Sequence, residues 1–212
     1  MKRRDLLPAT MAGIGLSLLA APAYAQHMGS MAPMTPGACP GDGTPMQFIP
    51  KKPADPTPAQ NDIAKYPACP YCGMNRGQFH HARMLVHYSD DLPDGTCSLH
   101  CAAISLSLNG ARGPKAIYVA DFATPGDPKA LIEVAQATFL VGSALPGVMT
   151  KHSKVAYGSK AAAKAAQAAQ GGKVMDFDKA LLAAYTDIAQ DVVMIRKSHE
   201  ELWKKLSMEH KG

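Results

Sequence analysis

Residues 69 to 74 read Cys-Pro-Tyr-Cys-Gly-Met and residues 97 to 101 read Cys-Ser-Leu-His-Cys, with 24 residues between the two cysteine pairs. Two thiolates separated by two residues bind one ion from a single turn, and Gly73 permits the bend that swings Met74 back toward them. A three-residue gap at a helix start puts Cys97 and Cys101 about one turn apart on the same side. The intervening segment is long enough to fold back, so the two pairs are expected to close one four-thiolate site. The helix N-terminal dipole is expected to favour Cys97 as a thiolate.

Working outward, Met84, Val86 and Tyr88 alternate with Leu85 and His87 as a strand requires. Asp90, Asp91, Pro93, Asp94 and Gly95 then have the composition of a turn. Ser98 is placed to cap a helix carrying Cys101, Ile104, Leu106 and Leu108, which Asn109 and Gly110 stop. A second round follows, with strands expected at 116–119, 138–141 and 155–157. Ser159 then caps an alanine-rich helix that ends at Gly171 and Gly172. The two halves share an order of strand, turn, short strand and capped helix, which points to a distant internal duplication. From Asp178 the chain reads as one long helix with an apolar stripe of Leu181, Tyr185, Ile188, Val192, Ile195, Leu202 and Leu206, broken by His199. This stripe is expected to pack on its own domain rather than form a dimer seam, because flanking charge pairs are few. The fold class predicted is α+β: two small ββα-type units plus a long C-terminal helix.

The first residues give a basic start (Lys2, Arg3, Arg4), a short apolar run and Ala-Tyr-Ala at 23–25, the pattern of an export signal. That run is shorter than the about 20 residues a membrane-spanning helix needs. Arg3 and Arg4 with Leu6 and Leu7 resemble a twin-arginine signal, and Gln26, not cysteine, follows the cleavage site, so no lipid anchor is indicated. The layout expected is a signal peptide at 1–25, a Met/Pro-rich arm at 26–65, a metal-binding domain at 66–180 and an amphipathic helix at 181–212, all in the periplasm with no permanent membrane span. Losing Lys2, Arg3, Arg4 and Asp5 takes the formal charge from +5 to +3 without a dense basic cluster, so no nucleic-acid partner is expected. Cys39, Cys69, Cys72, Cys97 and Cys101 are odd in number, so at least one is free, metal-bound or paired to another molecule. Disulfides are the plain alternative in an oxidising compartment.

Ligand softness decides the ion. Four thiolates in a closed tetrahedron suit Zn(II), whereas thiolate with thioether suits Cu(I). Met74 beside the first pair, Met149 in the loop at 145–149, and Met28, Met31, Met34 and Met46 on the arm favour Cu(I), with zinc as the alternative. His152, three residues after Met149, is a further candidate ligand, and His100, inside the second pair, either ligates or orients a ligand. Among His80, His81 and His87, the last is best placed to face a site. Nothing suggests an enzyme: no serine-histidine-acid order, phosphate-cradling glycine loop or paired carboxylates are present.

The segments Cys69-Pro70-Tyr71-Cys72-Gly73-Met74, Val141-Gly142-Ser143-Ala144-Leu145-Pro146-Gly147-Val148-Met149, Gly171-Gly172-Lys173-Val174 and Asp176-Phe177-Asp178 resemble the NosL family of copper-delivering accessory proteins of nitrous oxide reductase, over roughly 66–182. The resemblance implies paired ββα units related to the core of organomercurial lyase, and a Cu(I) site in which Cys72, Met74 and Met149 are ligands. It also implies a copper-dependent client enzyme and a copper-donor protein as partners. Cys97 and Cys101 lie outside the usual pattern of that family and look more like the cysteines of TRASH or YHS metal-binding modules. Two other readings stand beside the copper carrier: a zinc-stapled interaction module, and a thiol oxidoreductase using Cys-Pro-Tyr-Cys, which would need a helix beginning at the motif.

Overall fold

The computed structural model describes residues 53–209. The proposed signal peptide, most of the arm and Cys39 lie outside the described residues.

The described chain runs through α1 (Asp62–Lys65), β1 (Met84–Tyr88), β2 (Asp94–Thr96), α2 (Leu99–Leu108), β3 (Pro114–Ala120), β4 (Leu131–Glu133), β5 (Thr138–Val141), β6 (Lys154–Tyr157), α3 (Lys160–Gln170), β7 (Lys173–Met175) and α4 (Phe177–Glu209). The strands form two antiparallel sheets, ordered β2-β1-β3-β4 and β6-β5-β7. The fold is α+β, as expected. In each half the first strand is central, pairs first with the second strand, and after a helix pairs with the third. This shared order is what a duplicated ββα unit would leave.

The expected alternation of β1 is present, with Met84, Val86 and Tyr88 entering a core that includes Leu99, Ala102, Phe139, Ala156, Ala180 and Ala184. Leu85 and His87 on the opposite face are buried as well, so both faces of the strand are covered. His87 does not face a site; its Nε2 pairs with Asp91 Oδ1 at 2.7 Å. Three strands escaped the sequence reading. β2 has the composition of a turn, β4 has three residues, and β7 follows two glycines so closely that it reads as loop.

Ser159 caps α3 as expected, its hydroxyl accepting from the Ala162 backbone N–H at 3.1 Å, and Gly171 ends the helix at φ 69°. Ser98 occupies the N-cap position of α2, but its side chain makes no capping hydrogen bond.

Order begins earlier than Tyr66. Asp62 is buried, its carboxylate held by Arg76 at 2.8 Å and by Arg83 at 2.9 Å. A carboxylate at this depth is stable only when paired, so α1, read as the end of a loose arm, is part of the domain.

The long helix also departs from expectation along its length. Its first half packs through Ala180, Leu181, Ala184, Tyr185 and Ile188, and Tyr185 Oη donates to the Ala103 carbonyl at 2.9 Å. Beyond Gln190 the same stripe leaves the domain: Val192 is 61%, Ile195 52% and Leu202 53% exposed. Among the described residues, no helix is long and apolar enough to cross a membrane.

Candidate metal centre

The first cysteine pair lies on a closed turn. Gly73 N–H donates to the Cys69 carbonyl and Cys69 N–H to the Met74 carbonyl, both at 2.9 Å, and Ala68 bridges to Asn75 just outside. Closing so short a loop requires a left-handed residue, which Gly73 supplies at φ 76°. No helix begins at this motif, so the feature a thiol oxidoreductase would need is missing here. The second pair flanks the start of α2, Cys97 before the N-cap and Cys101 within the first turn.

Two buried groups bring the pairs together. Arg76, two residues beyond Met74, donates through Nε to the Thr96 carbonyl at 3.1 Å, next to Cys97, and through Nη1 and Nη2 to carbonyls of Tyr66 and Met84. Tyr71, between Cys69 and Cys72, donates its hydroxyl to Asp94 on β2; Ser105 Oγ donates to the same carboxylate at 2.7 Å, and Asn109 Nδ2 donates to the Tyr71 oxygen at 3.1 Å. Neither Arg76 nor Asp94 stood out in the sequence. Arg76 carries no motif, and Asp94 reads as an ordinary turn residue; their roles depend on partners about 20 residues away.

Cys69, Cys72, Cys97 and Cys101 are thereby gathered with all four Sγ atoms within 4.8 Å of one another. Cys72 Sγ lies 3.5 Å from Cys97 Sγ, which lies 3.7 Å from Cys101 Sγ. All four are free thiols. Cys69, Cys97 and Cys101 are buried and Cys72 is half-buried, in a pocket completed by Ala82, Val148, Tyr71, Met74 and Phe79.

The thiols of the cluster are tightly coupled, and shared hydrogen bonds draw the negative charge toward Cys69. Hydrogen bonds from Cys101 and then Cys97 hold the Cys69 thiol far below its ordinary range, against the opposing effect of burial. Cys97 is raised: Cys101 acts to lower it, but the Cys69 thiolate and burial outweigh that. Cys101 is also raised, first by its hydrogen bond to Cys69 and next by that to Cys97. One anion shared among protonated neighbours, with the buried Arg76 cation nearby, is a site primed for a cation that replaces the protons.

The remaining predicted ligands are distributed differently. Met74 packs against the cysteines. Met149 sits one residue past Val148, which is the loop residue turned onto the cluster; Met149 itself is 39% exposed, with a left-handed backbone at φ 66°. The turn that carries it depends on Gly147, where a Cβ would stand 2.0 Å from the Thr150 carbonyl oxygen. His152 is directed toward α4, its Nδ1 2.9 Å from Asp187 Oδ1. His100 is half-buried, and its Nδ1 is a buried atom without a hydrogen-bond partner, in a small cavity beside Pro146, Val148 and Lys154. Neither histidine joins the four-cysteine group.

A turn-borne thiol pair and a helix-borne thiol pair converging on one point, on a twofold-repeated antiparallel α+β scaffold, define a cysteine metal-site protein. The NosL family model matches residues 60–183, more than half of the chain, and the chain belongs to the NosL family. The crystal structure of the copper chaperone NosL from Shewanella denitrificans is similar at a TM-score of 0.45 and 25% identity, over 52% of this chain and 87% of that one. Among curated proteins, none matches this chain.

Proposed function

We propose that this protein is a periplasmic carrier that holds one Cu(I) ion on Cys69, Cys72, Cys97 and Cys101, with the Met74 thioether alongside, and passes it to a copper-dependent enzyme such as nitrous oxide reductase. The observation that carries this reading is the convergence of four Sγ atoms within 4.8 Å, in a pocket that Met74 also lines. Thiolate and thioether donors together favour Cu(I) over harder ions. The copper is cargo, so the protein acts as a carrier and not as a catalyst.

Delivery requires that one ligand be reachable. Cys72 is the half-buried member of the set, so an incoming sulfur displaces it first while the three buried cysteines retain the ion. Met149, exposed and next in sequence to Val148, which packs on the cysteines, offers a thioether during that exchange. His152, engaged by Asp187, and His100, which shares a small cavity with Val148, are not required by the sulfur set. In this reading residues 1–25 direct export by the twin-arginine route, the arm follows, and a copper-donor protein loads the domain.

A structural zinc site is the second reading, because tetrahedral thiolates at about 2.3 Å from zinc lie about 3.8 Å apart, close to the sulfur spacings found here. Anaerobic titration of the full chain with Cu(I) against a chromogenic chelator, paired with metal analysis of protein isolated from the periplasm, separates the two. The carrier reading predicts one Cu(I) per chain, withdrawn from the chelator and released to a thiol-bearing acceptor. Zinc at unit stoichiometry, with no copper retained, would overturn it.

A further inference from the structure

Four sulfurs within 4.8 Å of one another offer more than one way to pair. By spacing alone Cys69 belongs with Cys72, the two ends of the C-x2-C motif. The contacts run otherwise: Cys69 hydrogen-bonds with Cys101 and Cys97, while Cys72 Sγ lies against Cys97 Sγ at 3.5 Å. Each sulfur of that cross-motif contact is held by its neighbour in the chain. Tyr71, preceding Cys72, is tied through its hydroxyl to Asp94, and Thr96, preceding Cys97, has its carbonyl held by Arg76 Nε at 3.1 Å. These clamps are made by the protein's own groups, so the approach of Cys72 to Cys97 does not depend on a bound ion.

Access singles out the same pair. Cys69, Cys97 and Cys101 are 0–2% exposed, and Cys72 alone of the four is half-buried. A reagent arriving from solvent therefore reaches Cys72 first, and Cys97 stands directly behind it.

We propose that the site, once its ion is delivered, closes as a reversible Cys72–Cys97 disulfide formed by exchange with a disulfide-bearing oxidant, RSSR. The Cys72 thiolate attacks one sulfur of RSSR, and a mixed disulfide forms as one RS⁻ leaves and takes up the proton that Cys72 gave up. The Cys97 thiolate then attacks Cys72 Sγ, and the second RS⁻ leaves with the proton from Cys97. Two protein thiols are oxidised to one disulfide and one RSSR is reduced to two RSH; a dithiol reductant reverses both steps. The periplasm proposed for this protein holds oxidants of this class.

The consequence for copper rests on the carrier reading. A metal ligand must be a thiolate, so closure removes two of the four donors, one from each motif, and a spent carrier cannot take its copper back from the client.

Peptide mapping of the full chain tests the proposal. Trypsin cuts after Lys65, Arg76, Arg83 and Arg112, which leaves Cys69 and Cys72 on residues 66–76 and Cys97 and Cys101 on residues 84–112. Reduced, metal-free protein is treated anaerobically with oxidised glutathione, the remaining thiols are alkylated, and the digest is read by tandem mass spectrometry. The two peptides are expected to be joined, with fragment ions placing the bond between Cys72 and Cys97, and dithiothreitol is expected to release them. Cys101→Ser is expected to keep that bond and Cys97→Ser to lose it. A bond from Cys72 to Cys69 or Cys39, or a Cys72 that keeps glutathione with no second step, would overturn the proposal whatever metal the site holds. Loading with Cu(I) beforehand is expected to prevent the joining. A chain that joins Cys72 to Cys97 despite Cu(I), but is protected by Zn(II), would overturn the carrier reading and leave the pairing in place.

Discussion

Cys72 Sγ and Cys97 Sγ lie 3.5 Å apart although 24 residues separate them, so the turn-borne and helix-borne cysteine motifs act as one donor set. Neither pair needs to bind by itself. Cys72→Ser and Cys97→Ser are therefore expected to weaken Cu(I) binding to similar extents, each by about 100-fold or more, since even residues that only orient ligands change metal affinity by 10–100-fold. Competition titrations of the two variants provide the check, and a Cys97→Ser protein that binds like the parent would separate the motifs.

Met74 distinguishes the metals. Met74→Leu conserves volume, so the fold is expected to persist. Loss of the thioether is expected to weaken Cu(I) by about 10-fold, or about 1.4 kcal/mol, and to leave Zn(II) binding unchanged. Parallel titrations with both ions measure the difference; equal effects on both would mean that Met74 is packing alone.

Asp62 neutralises two buried guanidiniums, accepting from Arg76 Nη2 at 2.8 Å and from Arg83 Nε and Nη2 at 2.9 and 3.1 Å. Asp62→Ala strands both cations, and the expected cost is about 3–5 kcal/mol, the range for breaking a buried pair. Urea denaturation of the metal-free protein reads it directly. Because Arg76 also holds Thr96 beside Cys97, the same variant is expected to bind copper more weakly. A stability loss under about 1 kcal/mol would place the pair among surface bridges.

Asp55 ties the start of the described chain to the domain. The hydrogen bond from Tyr66 at 2.7 Å is the largest reason its carboxyl falls below the ordinary 3.8, to about 2; slight burial opposes it, and Lys65 and Thr57 lower it further. A carboxylate with a depressed folded pKa stabilises fully above its unfolded value and loses that contribution as pH falls through the folded one. Between pH 3.8 and about 2 the segment at Asp55 is expected to release from Lys65 and Tyr66. Amide exchange at Asp55, whose N–H donates to the Asp91 carbonyl at 2.7 Å, follows the release, and Asp55→Asn should abolish the pH step. A flat profile across that window would show that the pair contributes nothing.

The sequence carried the local parts of this architecture and little of what aligns them. Gly73, Ser159, Gly171 and the C-x2-C and C-x3-C spacings act within a few residues, and each was legible. β2 was not, because Asp94-Gly95-Thr96 is turn-like in isolation and becomes a strand through distant partners. Tyr71 and Ser105 bind Asp94, and Gly95 leaves room for Arg76, whose Cζ would stand 2.8 Å from a Cβ there. The four cysteines came together as read, whereas His152 is not among them and Met149 stands 39% exposed next to Val148. Spacing along a loop cannot say which neighbour turns inward, and here Val148 does while Asp187 on a remote helix takes His152. The apolar stripe of α4 was visible in full; where the domain beneath it ends was not.

The central claim is that one ion is held by sulfur from both motifs. Copper K-edge X-ray absorption of the Cu(I)-loaded full chain tests it most directly. An all-sulfur shell that changes in both Cys72→Ser and Cys97→Ser is the predicted result, and a nitrogen- or oxygen-containing shell, or one indifferent to Cys97→Ser, would contradict it.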